Sequence, residues 1–245
     1  MAHTKVKDKL FAKPSRLVKD FNFGKETAAV FDDMLDRSVP FYGEIVRMIA
    51  ELSADFAKEG TAVYDLGCST CNTFIVMDPL LPAGVRFVGV DSSADMLQRG
   101  KEKLHQYGVR RKTSLRCADL NKSIEVSNAS VVVMNLTLQF VRPLVRQKLI
   151  RDIARGMTPG GCLILVEKVV CRDPTLNRLF IKDYYAYKER NGYSRLEIAQ
   201  KREALENVLI PYRVEEDVEL LLNNGFRVCE SFFRWYNFCG LIAIK

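Results

Sequence analysis

A chain of 245 residues with a hydrophobic share of 48% is long enough for one α/β domain with a full core, and no apolar run approaches a membrane span. The charged N-terminal stretch Met1 to Lys9 leads into no apolar segment, so no secretory leader is expected. Seven cysteines without an export signal read as reduced thiols in a cytoplasmic protein. A net charge of +7 fits a nucleic-acid footprint, an enzyme that draws in small anions, or a merely solvated basic surface; no basic block denser than Arg110-Arg111-Lys112 favours the first.

Helices are predicted over 26–36 and 40–57, with Ser38 and Pro40 as stop and restart signals. An alternation follows, with strands over 61–66, 85–91, 112–118, 129–134 and 161–169 and helices over 71–80, 93–107 and 143–156. Pro159-Gly160-Gly161 is expected to close the last of these helices and open the fifth strand. Short apolar runs alternating with helices imply a parallel sheet covered on both faces. Beyond residue 172 the alternation breaks. Helices are predicted over 174–190 and 195–209, the second opened by the capping box Ser194-Arg195-Leu196-Glu197. A helix over 214–223 stops at Asn224-Gly225, and the strands 226–234 and 237–244 lie close enough to form a hairpin. Five alternating strands and a terminal hairpin make the Rossmann-like α/β fold of class I S-adenosylmethionine (SAM) dependent methyltransferases, a seven-stranded, mostly parallel sheet. The expected organisation is a single SAM-binding domain over 1–245, with an N-terminal helical lid over 1–58 and a helical insertion over 172–212.

The run Val63-Tyr64-Asp65-Leu66-Gly67-Cys68-Ser69 places a glycine turn at the end of the first strand, and Gly89-Val90-Asp91-Ser92 places a carboxylate at the end of the second. In a parallel sheet those ends lie side by side at the ligand crevice. Asp91 would accept the hydroxyls of a ribose. Asp119, after the third strand, would accept from an adenine amine with Leu120 beside the ring, and Asn135, after the fourth, would face the methionine part. Each alone also reads as a turn residue or a cap. A dinucleotide would need G-x-G-x-x-G, whereas Gly67-Cys68-Ser69-Thr70-Cys71-Asn72 has one glycine, which favours SAM over NAD.

Cys68-x-x-Cys71 has no second Cys pair or His cluster to complete a zinc site, and reads as part of the cofactor loop. The two histidines are His3 and His105, the latter expected on the surface of an outer helix, so a Ser-His-Asp hydrolase is not expected. Glu167, ending strand five, is either an alternative base or the partner of Lys168 or an arginine. At about 100° per residue, Arg202 projects about 40° from Ile198 and about 20° from Leu209, on the apolar stripe of its helix, where a guanidinium would want a carboxylate or phosphate. Lys201 projects near the same stripe, and a long side chain there also reads as snorkelling. Tyr193 and the stretch Phe180 to Tyr187 read as core or ring-stacking aromatics.

These segments together resemble the carboxy-S-adenosyl-L-methionine synthase family from about residue 8 to the end. The resemblance rests on Arg37-Ser38-Val39-Pro40-Phe41-Tyr42, the strand-one loop, Asn135-Leu136-Thr137-Leu138-Gln139-Phe140, Asn191-Gly192-Tyr193-Ser194, Gln200-Lys201-Arg202 with Leu205-Glu206-Asn207-Val208, and the C-terminal Asn237-Phe238 with Leu241 to Lys245. It implies an enzyme that takes SAM and prephenate, releases phenylpyruvate and places the lost carboxyl group on the SAM methyl, the product serving a separate enzyme of tRNA wobble-uridine modification. It also implies that Tyr42, Gly67, Cys68, Ser69, Asp91, Ser92, Asp119, Leu120 and Asn135 hold SAM. Arg202 would hold the new carboxylate, in its own subunit or across a homodimer, with neither nucleic acid nor membrane required. The chain departs from the family's loop at Cys71, where a glycine is usual, so the loop is expected to be crowded or shifted there. A conventional SAM methyltransferase with an unknown acceptor and a non-catalytic RNA-binding module are the other readings.

Overall fold

A computed structural model describes residues 6–245; His3 and the first five residues of the charged N-terminal stretch lie outside it. Strands β1 (Ala62–Leu66), β2 (Arg86–Asp91), β3 (Thr113–Cys117), β4 (Ala129–Asn135) and β5 (Met157–Lys168) are parallel, and β7 (Phe238–Ile244) enters antiparallel between β5 and the edge strand β6 (Val228–Trp235). The sheet order is β3-β2-β1-β4-β5-β7-β6. Chain direction reverses its lateral march between β1 and β4, which opens a crevice at their carboxyl ends.

Side-chain alternation along the strands divides the core in two. Tyr64, Leu66, Val88 and Val132 pack under α5 (Pro143–Gly156) and α8 (Val214–Leu222), through Ile150, Ile153 and Leu221. Val63, Phe87, Val131 and Ile164 pack under α2 (Tyr42–Phe56), α3 (Asn72–Met77) and α4 (Ala94–Gln106), through Ile49, Phe74 and Leu104. Strands buried on both faces explain why β1 and β4 read as continuous apolar runs. A third, smaller cluster joins Phe31 and Met34 of α1 (Lys25–Ser38) to Met96 and to the N-terminal Phe21 and Phe23.

The remaining helices, α6 (Pro174–Arg190) and α7 (Arg195–Leu205), dock on α1 and the N-terminal segment. The Tyr184 hydroxyl donates to Ser38 O (3.0 Å) and the Tyr187 hydroxyl to Val39 O (3.3 Å). Gln200 accepts from Ser15 N (2.7 Å) and donates to Phe11 O (2.8 Å) and Lys13 O (3.0 Å).

Three boundaries differ from the sequence reading. The helix expected over 71–80 ends at Met77, because Pro79 lacks an N–H and would crowd the preceding turn. The one expected over 195–209 ends at Leu205: Glu206 N and Val208 N bond three residues back, and Ile210 N then goes to Gln139 O (2.8 Å). Pro159-Gly160-Gly161 does not end a helix; α5 already stops at Gly156, and the three residues form an irregularity inside β5, where the register shifts between Ala129 and Val131. Among the described residues no helix is long and apolar enough to cross a membrane.

Candidate active site

A cavity of about 460 Å³ opens at the carboxyl ends of β1, β2 and β4, a size suited to a nucleoside-bearing ligand. Its floor is the loop after β1. Gly67 takes φ +82, and a β-carbon there would fall 2.2 Å from Thr137 Oγ1, so only glycine fits. Gly67 N and Cys68 N both donate to Val90 O (2.7 and 3.1 Å), stitching the loop to β2. Asp91 holds the same loop from its side chain: Ser69 N donates to Oδ2 (2.9 Å) and Ser93 N to Oδ1 (2.8 Å). Burial pushes the Asp91 carboxyl up and these N–H donors oppose it. Each oxygen keeps a second lone pair, so the carboxylate can still accept a pair of ribose hydroxyls.

Tyr42, Ser92, Asp119, Leu120 and Asn135 line the same cavity, so the structure brings together every residue the sequence singled out for the cofactor. Asp119 Oδ1 accepts from Asn121 N and Nδ2 (both 2.9 Å), which holds its pKa down. The Tyr42 hydroxyl accepts from Asn72 Nδ2 (3.4 Å), and burial pushes its pKa up. Asn135 Oδ1 is buried without a partner. Asp65 Oδ1 is buried and unpartnered too, and the Asp65 carboxyl is pushed up to about 7, chiefly by burial, with the neighbouring Asp91 adding to it. Sequence reasoning quoted Asp65 inside its motif without assigning it a role; an acidic residue directly preceding the glycine turn was the available signal. Two orphaned acceptors above a bare glycine fit a ligand that carries a cation and a donor-rich ribose, and SAM supplies both.

Cys68 and Cys71 are buried, and a hydrogen bond between them together with burial holds the Cys68 thiol well above its usual pKa. Among the described residues no group of three or more His, Cys, Asp or Glu is placed to hold a metal. Cys71 adopts φ 61, ψ 28, the left-handed conformation that glycine favours, so the departure from the family's loop sits on a strained residue.

The loop is tied to α1 by a partly buried ion pair. Lys103 of α4 donates to both oxygens of Asp32 on α1 (2.8 and 2.7 Å) and to Thr70 Oγ1 (3.3 Å), and also bonds Asn72 Oδ1. Thr70 Oγ1 and Asn72 Nδ2 donate to Asp32 Oδ1 (3.1 and 3.0 Å).

Two expectations are corrected. Arg202 does not lie on a buried face: α7 buries Ile198, Gln200, Lys201 and Ala204, while Arg202 is exposed at the cavity rim. The stripe was drawn partly through Leu209, which lies beyond the helix end. Glu167 pairs with neither Lys168 nor an arginine, nor does it present a free base. It is buried and accepts from the backbone N–H groups of Thr137, Leu138 and Gln139 (3.2, 2.8 and 2.8 Å), fixing the turn that follows Asn135. Burial pushes its pKa well up and these donors pull against that.

Other sequence expectations hold. His105 is exposed on α4. Tyr193 is buried under the Arg37 guanidinium (3.9 Å) with its hydroxyl donating to Asp8 Oδ2 (2.6 Å), and Tyr184 and Tyr187 pack edge-on against Trp235. Arg111, from the basic run, is turned inward onto Asp78 and four nearby backbone carbonyls.

Residues 63–161 match the model of a methyltransferase domain. The chain is 50% identical over 240 residues to the carboxy-S-adenosyl-L-methionine synthase of Methylococcus capsulatus, covering 98% of this chain and 99% of that one. It is 42% identical over 243 residues to the enzyme of the same name from Desulfotalea psychrophila, covering 99% and 98%. Among solved structures, an O-methyltransferase family protein from Burkholderia thailandensis superposes with a TM-score of 0.66 at 16% identity, over 94% of this chain and 65% of that one, a likeness of fold. The near-complete coverage at such identity settles the lineage: the chain belongs to the carboxy-S-adenosyl-L-methionine synthase family.

Proposed function

We propose that the protein converts SAM and prephenate into carboxy-S-adenosyl-L-methionine and phenylpyruvate. The observation that carries this reading is the contrast between two sets of side chains lining one cavity. Asp65, Asp91 and Asn135 present acceptors to a cation and a ribose, whereas Lys168, Lys188, Lys201 and Arg202 present positive charge to an anion. A transferase acting on a neutral acceptor has no use for that second wall.

In this reading Tyr42, Gly67, Cys68, Ser69, Asp91, Ser92, Asp119, Leu120 and Asn135 hold SAM, and Asp65 faces its positive charge. Bound SAM supplies a methyl group acidified by the adjacent sulfonium. Prephenate loses its ring carboxylate as carbon dioxide and its ring hydroxyl as hydroxide, and becomes aromatic. The hydroxide takes one methyl proton to form water, and the carbon dioxide bonds to the same carbon, so every atom is accounted for. The cavity's task is enclosure and electrostatic stabilisation, which needs no histidine base. Arg202 meets the new carboxylate from the rim, where a planar guanidinium distinguishes the product from SAM directly. A homodimer, in which that arginine serves its own or the neighbouring cavity, belongs to the same proposal. So do a cytoplasmic setting, lid and insertion roles for 1–58 and 172–212 within one domain, and use of the product in tRNA wobble-uridine modification.

The test is incubation of the protein with SAM and prephenate, followed by mass spectrometry. SAM heavier by one carbon dioxide, formed together with phenylpyruvate, supports the reading. Methylation of an added acceptor without that species defeats it and favours a conventional methyltransferase.

A further inference from the structure

The cationic wall contains more than Arg202. Lys168 at the end of β5, Lys188 on α6 and Lys201 on α7 converge on the cavity from three separate elements. Lys188 and Lys201 are only 6% and 7% exposed. Lys168 and Lys188 both approach the Tyr184 ring, with Nζ 5.3 and 4.4 Å from its centroid. That ring is fixed, because its hydroxyl donates to Ser38 O. Lys201 donates to Ser38 Oγ (3.2 Å) and lies 3.9 Å from Asp8 Oδ2. Asp8 is itself engaged by the Tyr193 hydroxyl and by Leu10 N. Among the described residues, neither Lys168 nor Lys188 has a carboxylate or other acceptor on its ammonium group.

A buried ammonium without a counter-charge is unfavourable, and three together repel one another. Burial, reinforced by Lys201 and Lys168, pushes the Lys188 pKa well below the usual lysine range, and burial pushes Lys201 down to about 8. Apart from the Lys201–Asp8 contact and the approach of the ammonium groups to tyrosine rings, the empty protein leaves this positive charge uncompensated. The arrangement is complementary to an incoming anion. Two of the charges flank the Tyr184 ring and the third lies over Tyr193, with Val39 and Phe238 also on the lining, which suits an apolar body carrying separated carboxylates better than a compact phosphate.

We infer that Lys168, Lys188 and Lys201 form the binding subsite of the second substrate, a small dicarboxylate whose apolar body lies against Tyr184, with Lys188 as its central ligand. The identity of that dicarboxylate as prephenate rests on the function proposed above; the chemistry of the subsite does not. Arg202 plays a different part, at the exposed rim, on the product's carboxylate.

The decisive variant is Lys188→Met, which keeps most of the unbranched side chain and removes its charge. The expected result is a KM for prephenate raised about tenfold to a hundredfold, the value of a charged hydrogen bond lost from a dry site, with SAM affinity unchanged. Thermal stability should rise, because an uncompensated buried charge is gone. Lys188→Arg should recover part of the prephenate affinity. Wild-type turnover with an unchanged prephenate KM in Lys188→Met would overturn the subsite and leave the proposed function standing. Calorimetric prephenate binding that depends on Lys188, in a wild-type protein that makes no carboxylated SAM, would do the reverse. A variant with lower melting temperature and weaker SAM binding would mark Lys188 as structural and overturn the subsite. Lys168→Met, at a strand end, repeats the test should Lys188→Met fail to fold.

Discussion

The sulfur of Cys71 occupies space that Gly100 leaves vacant on α4: a β-carbon built on Gly100 falls 2.7 Å from Cys71 Sγ. A cofactor loop that carries a side chain at a left-handed position is therefore accommodated by a helix that lacks one directly opposite. The strain of that conformation costs about 1–2 kcal/mol for a non-glycine residue. It persists because the thiol is buried and the Cys71 backbone N–H donates to Cys68 O (2.7 Å).

Gly100→Ala should lower stability by about 1–3 kcal/mol and weaken SAM binding, as the new methyl group pushes on the loop. Cys71→Gly alone should be near neutral, since relief of strain is offset by the lost thiol and by a more flexible unfolded chain. The double variant should regain most of the loss. Melting curves and SAM titrations of the four proteins make a complete cycle, and strict additivity would show that the two positions do not touch.

The strand ends were legible because a parallel β/α pattern fixes where each strand stops. Gly67, Asp91 and Asn135 each end a largely apolar strand, Asp119 follows the more polar strand β3 by its place in the alternation, and all four reach one cavity. The cationic wall was far less legible. Helix periodicity pointed to Arg202, yet the neighbouring Lys201 is the buried residue, because α7 is one turn shorter than its apolar pattern and its orientation is set by Gln200 gripping residues 11–15. That grip spans nearly the whole chain, and no local pattern encodes it. Glu167 failed for a related reason: a carboxylate at a strand end reads as a base, and only the tertiary turn at 137–139 reveals three N–H groups waiting for it.

Asp65 gives a pH dependence with a definite sign. Its pKa in the empty cavity is about 7, above the ordinary carboxyl value of 3.8. Between these values the folded state holds a proton that the unfolded state has released, so this group's contribution to the stability of the empty protein falls as pH rises towards 7. A cation in the cavity favours the ionised form and reverses the preference. SAM binding should therefore release a proton near pH 6, and affinity should fall by up to about tenfold per unit as pH drops below 7. Calorimetry in buffers of different ionisation heat measures the proton count directly. Asp65→Asn should abolish the release; a count that persists in that variant would assign it to another group.

Arg202→Ala should leave stability within about 0.5 kcal/mol of the parent, because the side chain is exposed. Its effect should fall on one ligand. Carboxylated SAM should lose about 1.5–3 kcal/mol of affinity while SAM is bound nearly as before. Parallel titrations of the two ligands decide it, and equal losses would show that the guanidinium shapes the rim without contacting the carboxylate.

Lys103 and Asp32 carry the connection between α1 and the cofactor loop, and their energetics are asymmetric. Burial lowers the Lys103 pKa, while Asp32 is held below its ordinary value because Lys103 and three hydrogen bonds outweigh its own desolvation. The pair is thus favourable for the carboxylate and costly for the ammonium, as expected when the lysine is the more deeply buried partner (6% against 26% side-chain exposure). Lys103→Met strands a carboxylate among Thr70 and Asn72 and should destabilise the fold by about 3–5 kcal/mol. The double variant Asp32→Asn with Lys103→Met removes both charges and should recover much of that loss. SAM affinity should follow the integrity of the loop and not the net charge, so the double variant should bind SAM better than Lys103→Met alone. Equal SAM affinity in the single and double variants would mean that α1 and the loop are held together by their apolar contacts, with the ion pair a passenger.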